Sequence, residues 1–353
     1  MSYTIFVSGQ QVSVKGSIEK VTLNEQGVPV STEAVDGVWN PSFLAYEEAD
    51  KRLFALGKTE TGAEICEFDC GNGKTVLAGR FPTQTAPLCH VGISVGIGSQ
   101  AGSGDGKAVI IGGASFGGGE VELFSLESGN TSRKSADAKS VFYRNYAKPG
   151  CISHPHCILP SPDGKFFYLV DLGRDCVEIF DCTGEVPIES GRLQLREGDG
   201  PRHLLFHPTL PIVWLITEYS NVVYTLKRDT ETGALSVLQR ESTIPDDYTG
   251  ITYGASLAYC PQKKTLYASN RGMESIAVYA VAEDGSIRRK AIVPCGGSWP
   301  RHIAMTKDGK FLLSCNEKAG RVSVLELDEE GIPGRTVGEE RFAGVTFAVD
   351  VSD

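Results

Sequence analysis

Short runs in which apolar and polar residues alternate fill most of the chain. "KFFYLVD" (165–171), "CVEIFD" (176–181) and "SIAVYAV" (275–281) are three of them, set off by Gly, Asp, Asn or Pro. A period of two places successive side chains on opposite faces, which predicts short β-strands closed by tight turns. Helical spacing is almost absent. Only "DAKSVFYRNYAK" (137–148) reads as a helix.

The strands recur in register. Four segments align without gaps: "PHCILPSPDGKFFYLVDLGRDCVEIF" from Pro155, "PRHLLFHPTLPIVWLITEYSNVVYTL" from Pro201, "GASLAYCPQKKTLYASNRGMESIAVY" from Gly254 and "PRHIAMTKDGKFLLSCNEKAGRVSVL" from Pro300. Each reads as strand, tight turn, strand, polar turn, strand. Further copies start at Pro41 and Pro87, the latter carrying a Gly/Ser-rich insertion, "GIGSQAGSGDG" (96–106). The six starts lie 46, 68, 46, 53 and 46 residues apart. Several antiparallel strands per repeat of about 45 residues is the pattern of a β-propeller blade, whereas solenoid repeats are shorter or helical. Near the N-terminus, "YTIFVSG" and "SIEKVTL" read as the second and third strands of a blade, and "FAGVTFAVDV" (342–351) as a lone innermost strand. Joined, they complete a seventh blade and leave no open sheet edge. The expectation is an all-β, seven-bladed β-propeller, a single domain over residues 1–353, closed by strands from both ends.

Blade geometry turns the alignment into a candidate site. The innermost strand of a blade lines the central channel, and the residue after its opening proline lies at one rim: Ser42, His156, Arg202, Ala255, Arg301. Sixteen residues on, the second strand ends at the same rim: Lys58, Leu172, Glu218, Arg271, Glu317. The "SPDG" and "TKDG" turns fall at the opposite end. His156, Arg202, Glu218, Arg271, Arg301 and Glu317 are thus expected at one channel mouth. Strands and turns need no charge there, and guanidinium forks bind carboxylate or phosphate bidentately. The glutamates could orient the arginines, or one could serve as a base. A rim arginine would contribute little to the core, so its loss should affect folding modestly. Each charge also has a plainer reading, a pairing between neighbouring blades. His154 and His156, two apart on one strand face, could begin a metal site but lack an evident third ligand. His203 and His302 should face away from the channel and pack between blades; His207 reads as a turn residue.

Composition narrows the partners. The 353 residues are 41% hydrophobic and 22% charged, an ordinary globular balance. Apolar runs such as "LPIVWLIT" are too short to span a bilayer, and "MSYTIFVSGQ" lacks the layout of a signal peptide. Ten cysteines without CxxC spacing read as reduced thiols, so a cytoplasmic location is expected. A net charge of −10 argues against nucleic acid as a partner. A small anionic metabolite is the expected ligand, with no metal, cofactor or membrane partner; oligomeric state is not legible.

"HPHCILPSPDGKFFYLVDLGRD", "GDGPRHLLFHP", "TEYSN", "TLYASNRGMESIAVY" and "WPRHIAMTKDGKFLL" together resemble the seven-bladed propeller lactonase family. That family includes propeller-type 6-phosphogluconolactonases and carboxy-cis,cis-muconate cyclases. The resemblance spans nearly the whole chain and is most specific after residue 150. It implies a catalytic set of His156 in "HPH", Arg202 in "GPRH", Glu218 in "TEYSN" and Arg271 in "SNRG", with His154 an alternative for the histidine. His154, Arg301 and Glu317 are then candidate substrate-binding residues. The chain departs from the family where an "NY.gG" stretch is usual: here Ser115 and Phe116 open "SFGGG", and Lys58 replaces an acidic residue or arginine.

The implied chemistry is attack of water on a ring ester. Arg202 and Arg271 would hold the developing oxyanion and the substrate's acidic group, while His156 or Glu218 moves the proton. No GxSxG serine stands at a strand-to-helix elbow in this helix-poor chain, so no covalent acyl-enzyme is expected. In the cyclase alternative, the same groups hold a polycarboxylate while one of them delivers a proton to carbon. A noncatalytic binding propeller is the rival from another class. A calcium-dependent lactonase would need converging Asp, Asn and Glu, and arginine dominates instead.

Overall fold

A computed structural model of the protein describes residues 2–10, 17–60, 62–95, 109–126 and 138–352. The insertion at 96–106 lies outside them. The described strands, numbered β1 to β28 in chain order, form seven four-stranded antiparallel sheets, the blades of a seven-bladed β-propeller. Six sheets are consecutive in sequence. They run from β4 (Leu44–Glu47) to β7 (Val76–Pro82), from β8 (His90–Val95) to β11 (Ala138–Asn145) and from β12 (Pro155–Pro160) to β15 (Ile188–Gln194). The next three run from β16 (Pro201–Phe206) to β19 (Leu235–Ser242), from β20 (Tyr253–Cys260) to β23 (Ile287–Pro294) and from β24 (Pro300–Met305) to β27 (Pro333–Arg341). The seventh joins β28 (Val345–Asp350) to β1 (Tyr3–Gly9), followed by β2 (Ile18–Leu23) and β3 (Pro29–Val35).

That seventh sheet has the expected composition. Ile5 pairs with Asp350, Val7 with Ala348 and Ser8 with Phe347. Backbone bonds from Gln10 N to Gly344 O (2.9 Å) and from Val351 N to Thr4 O (2.9 Å) extend the pairing at both ends.

The stretch expected to be helical is instead strand β11. Val141, Phe142 and Tyr143 are β-branched or aromatic, and the strand pairs along Glu120–Leu126, with Phe142 meeting the Phe180 ring edge-on at 5.1 Å. Tertiary pairing overrides the faint helical spacing.

The chain divides into two compact units, one of residues 1–36, 198–227 and 236–353, the other of residues 37–197 and 228–235. In the first, apolar layers form between successive sheets. Trp214 and Ile216 of β17 (Ile212–Thr217) pack with Leu266 and Ala268 of β21 (Thr265–Arg271). Tyr3, Ile5 and Val7 pack with Leu313 and Cys315 of β25 (Phe311–Asn316). In the second unit, Phe54 and Leu56 pack with Val91 and Ile111, and Ile158 with Leu123 and Val121. Second strands such as β17 are buried along their whole length, as expected when both faces of a sheet are covered. A large side chain such as Trp214, fully buried, contributes about 1.5–3 kcal/mol. No helix among the described residues is long and apolar enough to cross a membrane.

Candidate functional site

The innermost strands carry a feature that alternation does not reveal. In β16, pairing with β17 runs from Phe206–Val213 to His203–Ile216, then jumps to Pro201–Thr217, leaving Arg202 as the extra residue of a β-bulge. The same jump leaves Arg301 extra between Pro300–Asn316 and His302–Cys315, and His156 extra between Pro155–Asp171 and Cys157–Val170. In β20 the ladder breaks between Gly254 and Leu257, around Ala255. A bulge re-aims one side chain out of the alternation, so every expected residue that follows an opening proline in these strands occupies one.

Within the first unit, Arg202, Glu218 and Arg271 meet. Arg202 Nε lies 3.2 Å, and Arg271 Nη2 2.8 Å, from the same oxygen, Oε2 of Glu218. Arg202 Nη1 also donates to the carbonyl of Ala255 and lies 3.3 Å from His203 Nε2, while Arg271 Nη2 donates to the carbonyl of Gly254 at 3.1 Å. The backbone fixes the carboxylate: Glu218 N donates to Gly200 O and Gly254 N to Glu218 O. Side-chain exposure grades through the group, 2% for Arg202, 7% for Arg271 and 18% for Glu218. Arg202 is therefore enclosed, whereas the expectation was a rim arginine that contributes little to the core. Two guanidiniums against one carboxylate leave a net positive charge in an otherwise acidic chain.

Arg301 and Glu317 pair with each other at 3.4 Å, each about one-third exposed. His302 follows the bulge and packs away from it. Its ring stacks on Phe347 at 4.0 Å, Nε2 lies 3.1 Å from the Ala348 carbonyl, and Nδ1 lies 3.1 Å from Ser256 Oγ. Desolvation, reinforced by the charge of Arg202, pushes its pKa down to about 3, so the ring is neutral. His207 closes its turn by accepting the backbone N–H groups of Thr209 and Leu210.

Aromatic residues that the sequence alone did not single out adjoin Arg271. Its guanidinium carbon lies 5.8 Å from the Tyr253 ring centre and 5.7 Å from that of Trp299. The Tyr253 ring is 6.5 Å from Tyr219 and 6.1 Å from Trp299. The available signal was Trp299 itself, in "SWPRH".

In the second unit, His154 and His156 do not alternate on one strand face, because His154 precedes β12 and His156 is the bulge residue. Phe116 tells them apart. It stacks on His154 at 4.3 Å and meets His156 edge-on at 5.6 Å, and His154 Nδ1 hydrogen-bonds the Phe116 carbonyl at 2.9 Å. Asp171 accepts the His154 amide at 2.8 Å and the Ser153 hydroxyl at 2.5 Å. Ser115 ties the following loop by donating to Pro87 O and accepting from Gly118 N. Lys58 N donates to Trp39 O. Among the described residues, no three His, Cys, Asp or Glu side chains come together as a metal-ion set.

A family model described as "Lactonase, 7-bladed beta-propeller" matches residues 4–342. The chain is 26% identical over 298 residues to the 6-phosphogluconolactonase of Bacillus subtilis, covering 82% of this chain and 81% of that one. It is also 26% identical over 333 residues to the uncharacterized protein YwcC of Lactococcus lactis, covering 94% of each. The solved structure of the Pseudomonas aeruginosa periplasmic gluconolactonase PpgL superimposes with a TM-score of 0.82 at 21% identity, over 100% of this chain and 99% of the other. With seven four-stranded sheets closed by both ends of the chain and a family match over nearly its full length, this protein belongs to the seven-bladed β-propeller lactonase family.

Proposed function

We propose that the protein hydrolyses the ring ester of an anionic sugar lactone, as a 6-phosphogluconolactonase does, and that Arg202, Glu218 and Arg271 form the heart of its site. The convergence of two guanidiniums on one carboxylate oxygen carries this reading. A blade needs no such group, and its surplus positive charge suits an anion. In the reaction, water adds to the ring carbonyl carbon, the carbonyl oxygen becomes an oxyanion, and the ring C–O bond then breaks. The proton lost by water ends on the departing alkoxide, giving a hydroxy acid. Arg271 and Arg202 stabilise the oxyanion with preorganised donors, which need no reorientation as charge develops. Glu218 holds both forks in place through Oε2. The proton carrier is Glu218 or, as the family resemblance implies, His156; Glu218→Gln and His156→Asn distinguish them by which variant loses the pH dependence of kcat. The partly exposed Arg301–Glu317 pair is a further candidate contact for substrate, as is His154.

The test is turnover of 6-phosphogluconolactone, glucono-1,5-lactone and carboxymuconate by the purified protein, with and without chelator, above the uncatalysed rate. Accelerated opening of the phosphorylated lactone that survives chelation is expected. No acceleration on either lactone would sink the reading, and turnover of carboxymuconate alone would replace it with the cyclase reaction.

A further inference from the structure

We propose that Trp299 and Lys318, beside Arg271, form a subsite for the substrate's terminal anion, a phosphate monoester remote from the reacting carbonyl. The proposal rests on the lactonase reading of the Arg271 cluster and names what that site selects.

The first observation is in the backbone. Trp299 stands just before Pro300 with φ at +65°. The equivalent residues before Pro41 and Pro201 are Asn40 (φ 48°) and Gly200 (φ 62°), the types that tolerate a left-handed conformation. A tryptophan is an outlier there. Such strain persists where the surroundings over-determine it, and it collects at functional sites. Here the surroundings do so. The Glu274 carboxylate accepts both the Trp299 amide and the Ser298 hydroxyl, and the Trp299 carbonyl accepts Glu317 N at 3.0 Å.

The second observation is what the indole meets. The Lys318 ammonium lies 3.1 Å from the ring centre, and the Arg271 guanidinium carbon 5.7 Å from it. The bond from Glu317 N holds the turn that carries Lys318 against Trp299, so the ammonium is positioned instead of ranging through solvent. Lys318 is exposed, and among the described residues it has no carboxylate partner; Glu317 pairs with Arg301 instead. An ammonium held over a ring with its charge uncompensated is a point-charge receptor for phosphate. The strained tryptophan thus places a second cation beside the arginine cluster without burying it.

Kinetics on a matched substrate pair tests this. Lys318→Met should lower the ratio of kcat/KM for 6-phosphogluconolactone to that for glucono-1,5-lactone about tenfold, chiefly through KM, and Lys318→Arg should restore much of it. Trp299→Gly should lower the same ratio while raising or preserving Tm, because glycine relieves the backbone; a purely structural tryptophan would lose Tm and leave the ratio intact. An unchanged ratio in Lys318→Met overturns the subsite. If the wild-type protein opens neither lactone, the lactonase reading fails, and calorimetric titration with 6-phosphogluconate and gluconate then decides the subsite. A preference for the phosphorylated acid that Lys318→Met abolishes upholds it; equal affinities, or a preference the variant keeps, overturn it.

Discussion

Arg202 shares an oxygen of Glu218 with Arg271, so under the proposed reaction its removal should act on catalysis and on folding together. Arg202→Ala should reduce turnover by roughly 10²–10³, the loss typical of one oxyanion donor. Arg202→Lys should recover little, since an ammonium cannot replace a fork that reaches both Glu218 and the Ala255 carbonyl. Because the side chain is enclosed, Arg202→Ala should also cost about 1–3 kcal/mol in a urea unfolding curve, as Ala255 and Glu218 lose a buried partner. Arg301→Ala is the comparison, and its smaller effect on both measures follows from its greater exposure. An Arg202→Ala protein with normal turnover and a lowered midpoint would make the arginine a strut. His302 supplies a pH prediction. Its folded-state pKa lies near 3 against an ordinary 6.5, so below pH 6.5 the unfolded chain takes up a proton that the folded chain refuses. Stability is full above pH 6.5 and falls toward pH 3, with a slope of at most about 1.4 kcal/mol per pH unit from this group. His302→Gln should flatten the dependence of the urea midpoint between pH 7 and 4. An unaltered slope would show that the ring titrates normally.

At the scale of elements, the bulges and one close approach hold the cluster together. A Cβ on Gly254 would lie 2.1 Å from the Thr217 carbonyl, so β20 can approach β17 only with glycine there. Gly254 also donates to Glu218 O and accepts from Arg271. Gly254→Ala should therefore push the strands apart, cost about 1–3 kcal/mol and lower turnover by loosening Arg271 from Glu218. Gly191→Ala, whose Cβ would meet only Ile179 at 3.6 Å, is the control and should change neither measure. The offsets of Arg202, Glu218 and Arg271 were legible because blade spacing repeats and the turns between strands carry Gly, Asp or Pro. The bulges were not, since one extra residue changes neither the apolar pattern nor the repeat length. The same blindness put His154 and His156 on one face and made Arg202 a rim arginine of little weight in folding. Strand β11 was misread because its single pairing edge, along Glu120–Leu126, is a non-local fact. The left-handed backbone at Trp299 had a trace in the sequence, because its aligned counterparts are Asn40 and Gly200.

For the whole molecule, the closing sheet was the most legible feature, since two strands at one end of the chain lacked an innermost partner that the other end could supply. Ending the chain at Arg341 removes β28 and uncovers the free edge of β1 and the face of β24 that packs on it. Such a protein should lose its cooperative thermal transition and aggregate, and a synthetic peptide of residues 342–353 should restore solubility. Calorimetry with light scattering checks this, and a truncated chain that melts like wild type would contradict it. The same sheet imposes an order of events during synthesis. Thr346 donates to the carbonyl of Ser8, 338 residues earlier. At translation rates of about 5–20 residues per second, β1 leaves the ribosome roughly 17–70 seconds before the strand that will cover it. For that interval its hairpin with β2 presents an unsatisfied backbone edge to every neighbouring nascent chain. Protection of the first strand is thus a matter of timing, and the whole interval until β28 emerges is the one in which chaperones have the most to guard.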